Sequence, residues 1–322
     1  MRIASFNVES LDAGRKASVQ LRNRLPVLQP ILQRLSADVL CLQEINAQKS
    51  RGSATRSLLA LQELIRGTQY EKFNLAPTTT SPAGLADVHN VVTLSRYPIV
   101  SQRQIHHDYI APPLLSGLPS HLEPAKFDRP LLVTDLLLPT DTILTVVNLH
   151  LRAPLASPVP GEKSAPFAWR SVAGWAQGFY ASVLKQVAQA LEVRMLVEAL
   201  LKENEHSLLL VAGDFNCEDH APALRLIQAA AEDVGSGEIA AHALVVLDRY
   251  LPADRRWSVL HAGRPVMLDH ILASQTLYGY FRNLEVFNET LADEAVGFGK
   301  SISSAGSYHA PLVAEFDLTD TQ

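Results

Sequence analysis

Short apolar runs rich in Val, Ile and Leu recur through the whole chain, at residues 2–7, 39–43, 90–95, 131–138, 143–149, 207–212, 244–248, 268–273 and 312–318. Each has the length and branched content of a buried strand. A longer period, close to 3.6, marks three helices. They are expected at about 16–35, at about 54–66 behind Ser53 as N-cap, and at about 171–203. In the third, Val183, Val187, Leu191, Met195 and Leu196 fall close to one face. A fourth, shorter helix is expected after His220, with Pro222 in its first turn. Helices early and in the middle, with strands throughout, predict an α/β (α+β) fold of two sheets packed face to face with helices outside. The segments 106–128 and 152–168 carry four prolines each and read as long loops at strand ends, the usual place for substrate selection. No composition break marks a linker, so the chain is expected to form a single domain over 1–322.

Polar side chains interrupt these apolar runs at six places. They are Asn7 in RIASFNVESL, Glu44 in ADVLCLQEI, His150 in ILTVVNLHLR, Asp214 and Asn216 in LLLVAGDFNCED, Asp269 in MLDHILAS and His309 in SYHAPLVAEF. Leaving such groups buried without partners is costly. Any one alone reads as a satisfied structural residue or a turn. Six complementary ones read as a single site for a divalent cation and a phosphate. In extended backbone, Asp214 and Asn216 point the same way across Phe215. Asn7, Glu44 and Asp214 offer the oxygen ligands that Mg²⁺ or Mn²⁺ prefers. An Asp–His pair, Asp269 with His309, fixes the tautomer and raises basicity as a general base requires. His150, as the second imidazole, suits charge stabilisation on phosphate oxygens.

Charge and composition narrow the picture. Formal net charge is −5 and 47% of residues are hydrophobic, so the chain is no basic coat for nucleic acid. Residues 1–60 nevertheless carry nine Lys/Arg against four Asp/Glu. A basic face near Arg15, Lys16, Arg22 and Arg24 suits a polyanion, with a solvated helix face as the plainer reading. Cys41 and Cys217 are the only cysteines and form no zinc or disulfide framework, which points to a reducing, cytoplasmic setting. No secretion signal is expected, since the first residues already read as a strand, and no membrane span is expected, since no apolar run is long enough. His106, His107, Asp108 and His121 match no compact ligand spacing and read as solvated loop residues. Arg129, before Pro130, suits either a substrate phosphate or a surface ion pair. Trp169 and Trp175 open the long helix, where core packing is expected and base stacking is the alternative.

The ordered set FNV, LQE, NLHL, GDFN, LDHIL and SYHAPL, with NVVTLSRYPIV and FDRPLL between, resembles the endonuclease/exonuclease/phosphatase superfamily, the deoxyribonuclease I-like metal-dependent phosphohydrolases. The resemblance runs from residue 2 to about 316. It implies a four-layer α/β/β/α sandwich and hydrolysis of a phosphate ester with Mg²⁺ or Mn²⁺. By position it implies that Asn7 and Glu44 help bind the metal and that Asp214 positions or shuttles a proton. It also implies that Asn216 and His150 hold phosphate oxygens, and that Asp269 orients His309 to deprotonate water. The family commonly carries Ser-Asp-His in the last motif, whereas this chain has Tyr308, whose phenol cannot replace a carboxylate ligand at neutral pH. One tight metal site is therefore expected, with Tyr308 and Arg129 as further substrate contacts. The expected activity is that of a phosphodiesterase or nuclease acting on DNA or RNA. A phosphatase or phosphodiesterase on a small or lipid-linked phosphate, and a catalytically weak binding scaffold, are the alternatives.

Overall fold

The structure, a computed structural model, describes every residue except 15–16, 18, 50–51, 53–54, 81–83, 116–123, 166–167, 296–304 and 319–322, and the side chain of residue 238. Twelve strands build two six-stranded sheets. In chain order they are β1 (Arg2–Leu11), β2 (Val39–Ile45), β3 (Asn74–Pro77), β4 (Asn90–Ser95), β5 (Ile99–Ile105), β6 (Leu131–Leu137), β7 (Ile143–His150), β8 (Leu208–Asp214), β9 (Val245–Val246), β10 (Asp269–Ala273), β11 (Phe281–Val286) and β12 (Leu312–Phe316). The first sheet runs β11-β12-β1-β2-β4-β3 and the second β9-β10-β8-β7-β6-β5. Two central pairs, β1 with β2 and β7 with β8, are parallel; the other pairings within the sheets are antiparallel.

Alternation along the strands assigns their faces. Ile3, Val39 and Cys41 point inward with Leu144, Val146, Leu210, Ala212 and Ile271 to fill the core between the sheets. Ala4, Phe6, Leu40 and Leu42 point outward and receive Leu28, Leu32 and Leu35 of helix α1 (Leu21–Leu35) and Leu61 and Leu64 of helix α2 (Leu59–Ile65). On the other side, Val147, Leu209 and Val211 receive Val193 and Val197 of helix α3 (Val172–Glu203) and Leu224 of helix α4 (Pro222–Gln228). Helix, sheet, sheet and helix form the four layers that the apolar pattern predicts.

The differences from expectation are local. Helix α1 begins at Leu21, and Lys16, where it was expected to start, lies outside the described residues along with Arg15, Ser53, Ala54 and His121. Ser171 caps α3, its side chain accepting from Gly174 N. Of the face of α3 expected to be apolar, Leu196 is buried, Val183 and Val187 are half-buried, and the rest is exposed. Leu191 and Met195 are 36% and 42% exposed, while Ala190, Val193, Leu196, Val197 and Leu201 are buried. Apolar residues sit all round this helix, and the small Ala190 lets the stripe beside it approach the sheet. Trp175, expected in the core, is 44% exposed. Arg24, expected on a solvated basic face, is buried and donates to the carbonyls of Val8, Glu9, Ala305 and Gly306, tying the end of β1 to the segment that precedes His309.

Candidate active site

The adjacent ends of β1, β2, β7, β8 and β10 bring the predicted polar residues into one cleft of about 470 Å³. Glu44, His150, Asp214, Asn216, Tyr308 and His309 line it, as does Arg129. Register explains the gathering: Asp214 pairs across the sheet with His150 on one side and with Asp269 on the other. Gly213 makes this possible. Its φ is +151°, and a Cβ there would lie 1.9 Å from the Leu149 carbonyl oxygen. Behind it Phe215 is fully buried and its N–H donates to Leu268 O.

The extended geometry expected for GDFN stops at Asp214. Asn216 reaches the cleft through a left-handed residue (φ 51°), with its backbone N–H donating to Asp214 Oδ1 at 2.8 Å and its side-chain amide to Asp214 Oδ2 and Leu151 O. Glu44 is also left-handed (φ 61°), and this turns its carboxylate out of the β2 ladder. Glu44 Oε2 accepts from the backbone and hydroxyl of Ser10. Asn7 Oδ1 accepts from Glu9 N, so its amide nitrogen is the end that faces the acids, donating to Glu44 Oε1 at 3.2 Å and Asp214 Oδ2 at 2.9 Å. Asn7 thus stands between two carboxylates as a bridge, and its oxygen is engaged elsewhere.

The two histidines are held in opposite ways. His309 Nδ1 lies 2.8 Å from Asp269 Oδ2, and its Nε2 lies 3.9 Å from Asp214 Oδ2. Burial opposes a charge on His309, yet Asp269 and Asp214 outweigh it and push the imidazole up to about 10. His150 Nε2 lies 3.3 Å from Asp214 Oδ2, and its Nδ1 lies 2.7 Å from Arg129 Nη1. Burial, reinforced by Arg129, drives His150 well below the usual imidazole range and keeps it neutral. Asp214 is raised by its burial. Glu44 is lowered: burial opposes its charge, but His89, the Asn7 amide, His309 and Arg129 overcome that cost.

Arg129 is half-buried among these groups. It donates to the ring nitrogens of His150 and His89, makes no salt bridge among the described residues, and leaves Nε without a partner. The surface ion pair that was the other reading of this residue is therefore not what forms. In the 106–128 loop, both ring nitrogens of His107 are engaged, with Phe127 N and Ile110 O, so this histidine has none left for a metal. Residues that the motifs did not mark also line the cleft: Glu9, near the end of β1, and the loop residues His89 and Arg152. Glu9 stands two residues after Asn7 and accepts from Tyr308 N at 3.0 Å, so a carboxylate meets the last motif even though residue 308 is Tyr. His89 directly precedes β4, in a left-handed conformation (φ 57°).

The donor set fits a divalent cation. Glu44 and Asp214 converge through Asn7, and carboxylate oxygens are the ligands of hard cations. Asp214, Asp269 and His309 also bring ligand atoms within 4.8 Å of one another, but Asp269 Oδ2 is engaged with His309. No helix among the described residues is long and apolar enough to cross a membrane.

Comparison with known proteins bears on the fold. No curated protein matches the chain. Solved structures align over nearly its whole length. The 3′ phosphatase NExo from Neisseria, bound to a product DNA hairpin, is 19% identical with a TM-score of 0.54, covering 98% of this chain and 99% of that one. Truncated Caenorhabditis elegans TDP2 is 15% identical with a TM-score of 0.56, covering 98% and 96%. An AP endonuclease from Archaeoglobus fulgidus is 15% identical with a TM-score of 0.55, covering 99% and 100%. At these identities the likeness establishes the fold. The model of the Endonuclease/Exonuclease/phosphatase family matches residues 4–282, and the chain belongs to that family.

Proposed function

We propose that the protein is a metal-dependent phosphodiesterase, with nucleic acid as its substrate. The observation that carries this reading is one cleft with two opposed halves. The carboxylates of Glu44 and Asp214 make a cation site, and Arg129, with no carboxylate partner among the described residues, makes an anion site beside it through His150. The nucleases and phosphatases among the structural neighbours support a phosphate ester as the substrate, and the product DNA hairpin bound to the Neisseria enzyme supports DNA.

Glu44 and Asp214 would hold Mg²⁺ or Mn²⁺, with Asn7 spacing the two carboxylates. When bound, the cation supplies charge neutralisation at the phosphate. The protein's own groups do the rest. Arg129 grips a phosphate oxygen, and His150, neutral and protonated on Nε2, donates to another. The Asn216 amide lines the same cleft. Asp269 holds His309 by Nδ1, leaving Nε2 facing the cleft to take a proton from water. For that step His309 must be neutral. Asp269 does most to keep it charged and Asp214 comes next, so a cation held by Asp214 and Glu44 would remove only the part of that hold those two residues supply.

The test is hydrolysis of bis-p-nitrophenyl phosphate and of supercoiled plasmid in EDTA, Mg²⁺ and Mn²⁺, beside His309→Ala. Metal-dependent turnover that the substitution lowers by roughly 10²–10⁴ is expected. Activity on phosphomonoesters alone would move the reading to a phosphatase, and no turnover on any of these substrates would refute it.

A further inference from the structure

Helix α3 outruns the sheet it covers. Its fully buried Val193 and Val197 face strand residues Val147, Leu209 and Val211. Nearer its start, Gln186 donates to the carbonyls of Arg152, Phe215 and Asn216 and so marks the level at which β8 ends, just past Asp214. The helix begins at Val172, and its first turns therefore project past the catalytic end of the sheet. At 3.6 residues per turn, eighteen residues are about five full turns. Trp175 thus lies in line with Val193, and Phe179 with Val197. The stripe that faces the sheet is continued by two aromatic rings beyond the level at which β8 ends, where a short ribbon of Lys163–Ala165 and Ala168–Trp169 brings the Trp169 ring against the helix at Gly178. These rings stack on each other, with centroids 5.3 Å apart and planes at 19°. Trp175 is 44% exposed.

The overhang is tied to the cleft. A Cβ at Gly178 would lie 2.2 Å from Ser157 O, and Ser182 donates to Leu155 O at 2.6 Å, so α3 is clamped onto the loop that carries Arg152, Ala153 and Leu155 into the cleft wall. At 1.5 Å of rise per residue, Trp175 stands about 16 Å beyond Gln186, or roughly five nucleotide steps at 3.4 Å each. Cations accompany the rings. Lys163 sits 4.6 Å over the Trp169 ring, Arg170 is exposed just before the helix, and Arg152 and Arg129 lie in the cleft at its foot. A polyanion that carries planar rings complements both features.

We propose that Trp175 and Phe179 form a stacking platform for an unpaired base of a polynucleotide strand, a few nucleotides from the phosphate held at Arg129. The proposal rests on the nuclease reading of the cleft. Base stacking on an exposed aromatic tolerates sequence, because every base has a π face. The platform therefore adds affinity for long strands and leaves small substrates unaffected.

The test separates this from the hydrolase reading. Binding of a fluorescein-labelled oligothymidylate 12-mer is measured by anisotropy in EDTA, where no cleavage competes, for the wild type, Trp175→Ala and Trp175→Phe. Turnover of bis-p-nitrophenyl phosphate is measured for the same three proteins. Trp175→Ala is expected to weaken oligonucleotide binding roughly tenfold, Trp175→Phe to restore most of it, and both to turn over the small ester as the wild type does. Equal binding by wild type and Trp175→Ala would overturn the platform. So would wild-type binding to phosphatidylglycerol vesicles, but not to the 12-mer, that depends on Trp175, since the surface would then be a membrane contact. Loss of small-ester turnover in Trp175→Ala would also overturn it, because Trp175 would then be a structural support of the cleft. A wild type inactive on the small ester would refute the hydrolase reading, while the binding measurement would still decide the platform.

Discussion

The Arg129 guanidinium donates to His150 Nδ1 at 2.7 Å. A guanidinium has no acceptor, so Nδ1 must carry the lone pair and the ring proton must sit on Nε2, which faces the Glu44–Asp214 carboxylates and the cleft. In the proposed site Arg129 would bind the anion, and it selects the His150 tautomer that would donate to the same anion. Replacing Arg129 with Ala is expected to lower kcat/KM by roughly 10²-fold. Nitrogen–proton correlation spectra should show His150 neutral and protonated on Nε2 in the wild type, with mixed tautomers in the variant. A wild-type ring protonated on Nδ1 would contradict the assignment.

Asp269 does the converse for His309. Its Oδ2 holds Nδ1 at 2.8 Å and so orients the imidazole, while its Oδ1 is buried without a hydrogen-bond partner among the described residues. An Asn at this position keeps the shape but presents an amide nitrogen or oxygen of lower basicity. Asp269→Asn is expected to lower kcat by about 10²–10³-fold with KM for bis-p-nitrophenyl phosphate changed little. Steady-state kinetics at saturating Mn²⁺ check this, and a KM effect that dominates would assign Asp269 to substrate binding instead.

How far the chain reveals this arrangement depends on burial. Strands β1, β2, β4, β6, β7, β8, β10 and β12 appear as apolar runs because both of their faces are covered, as at Leu209 and Leu210. Strands β3, β5 and β11 escape notice. β3 and β5 are edge strands, and so is β11; each leaves much of its length exposed, as at Val100 and Leu75, so no apolar run forms. The candidate site groups that end strands were legible for the same reason the strands were. Glu9, His89 and Arg152 were not. They stand in loops or at left-handed positions, where neither strand nor helix periodicity operates, although Glu9 follows Asn7 by two residues and His89 adjoins a strand start.

Burial raises the Asp214 carboxyl, and Asp269 adds repulsion, so its charge is held at a cost when no cation is present. Asp214→Asn removes that cost and keeps a polar group of similar shape. In EDTA the variant is expected to melt roughly 1–3 °C above the wild type. Adding Mn²⁺ should raise the melting temperature of the wild type and leave the variant nearly unchanged, because the cation binds only the folded wild-type site. Differential scanning fluorimetry reads both effects. An equal Mn²⁺ response in the two proteins would place the cation elsewhere.

His270, next to Asp269, is fully buried between two acceptors: Asp248 Oδ1 at 3.1 Å from Nδ1 and the Cys217 carbonyl at 2.9 Å from Nε2. Satisfying both requires both ring protons. Burial opposes that charge, but Asp248 overcomes it and raises the His270 imidazole, while Asp248 itself, though buried, is lowered by His270 and Arg256. Arg256 extends the chain to Asp219, so these ions fasten the turn after Asn216 to β10. The sign of the linkage follows. The stabilisation from His270 is full below its unfolded value of 6.5 and is lost as pH rises through its elevated folded value. That from Asp248 is present above 3.8 and is lost as pH falls through its depressed folded value. His270→Asn is therefore expected to cost about 3 kcal/mol, as breaking a buried pair does. The gap from wild type should be widest between pH 3.8 and 6.5 and should narrow in alkali. Urea unfolding from pH 4 to pH 10 measures it, and a gap that widened with pH would mean that His270 is neutral in the folded protein.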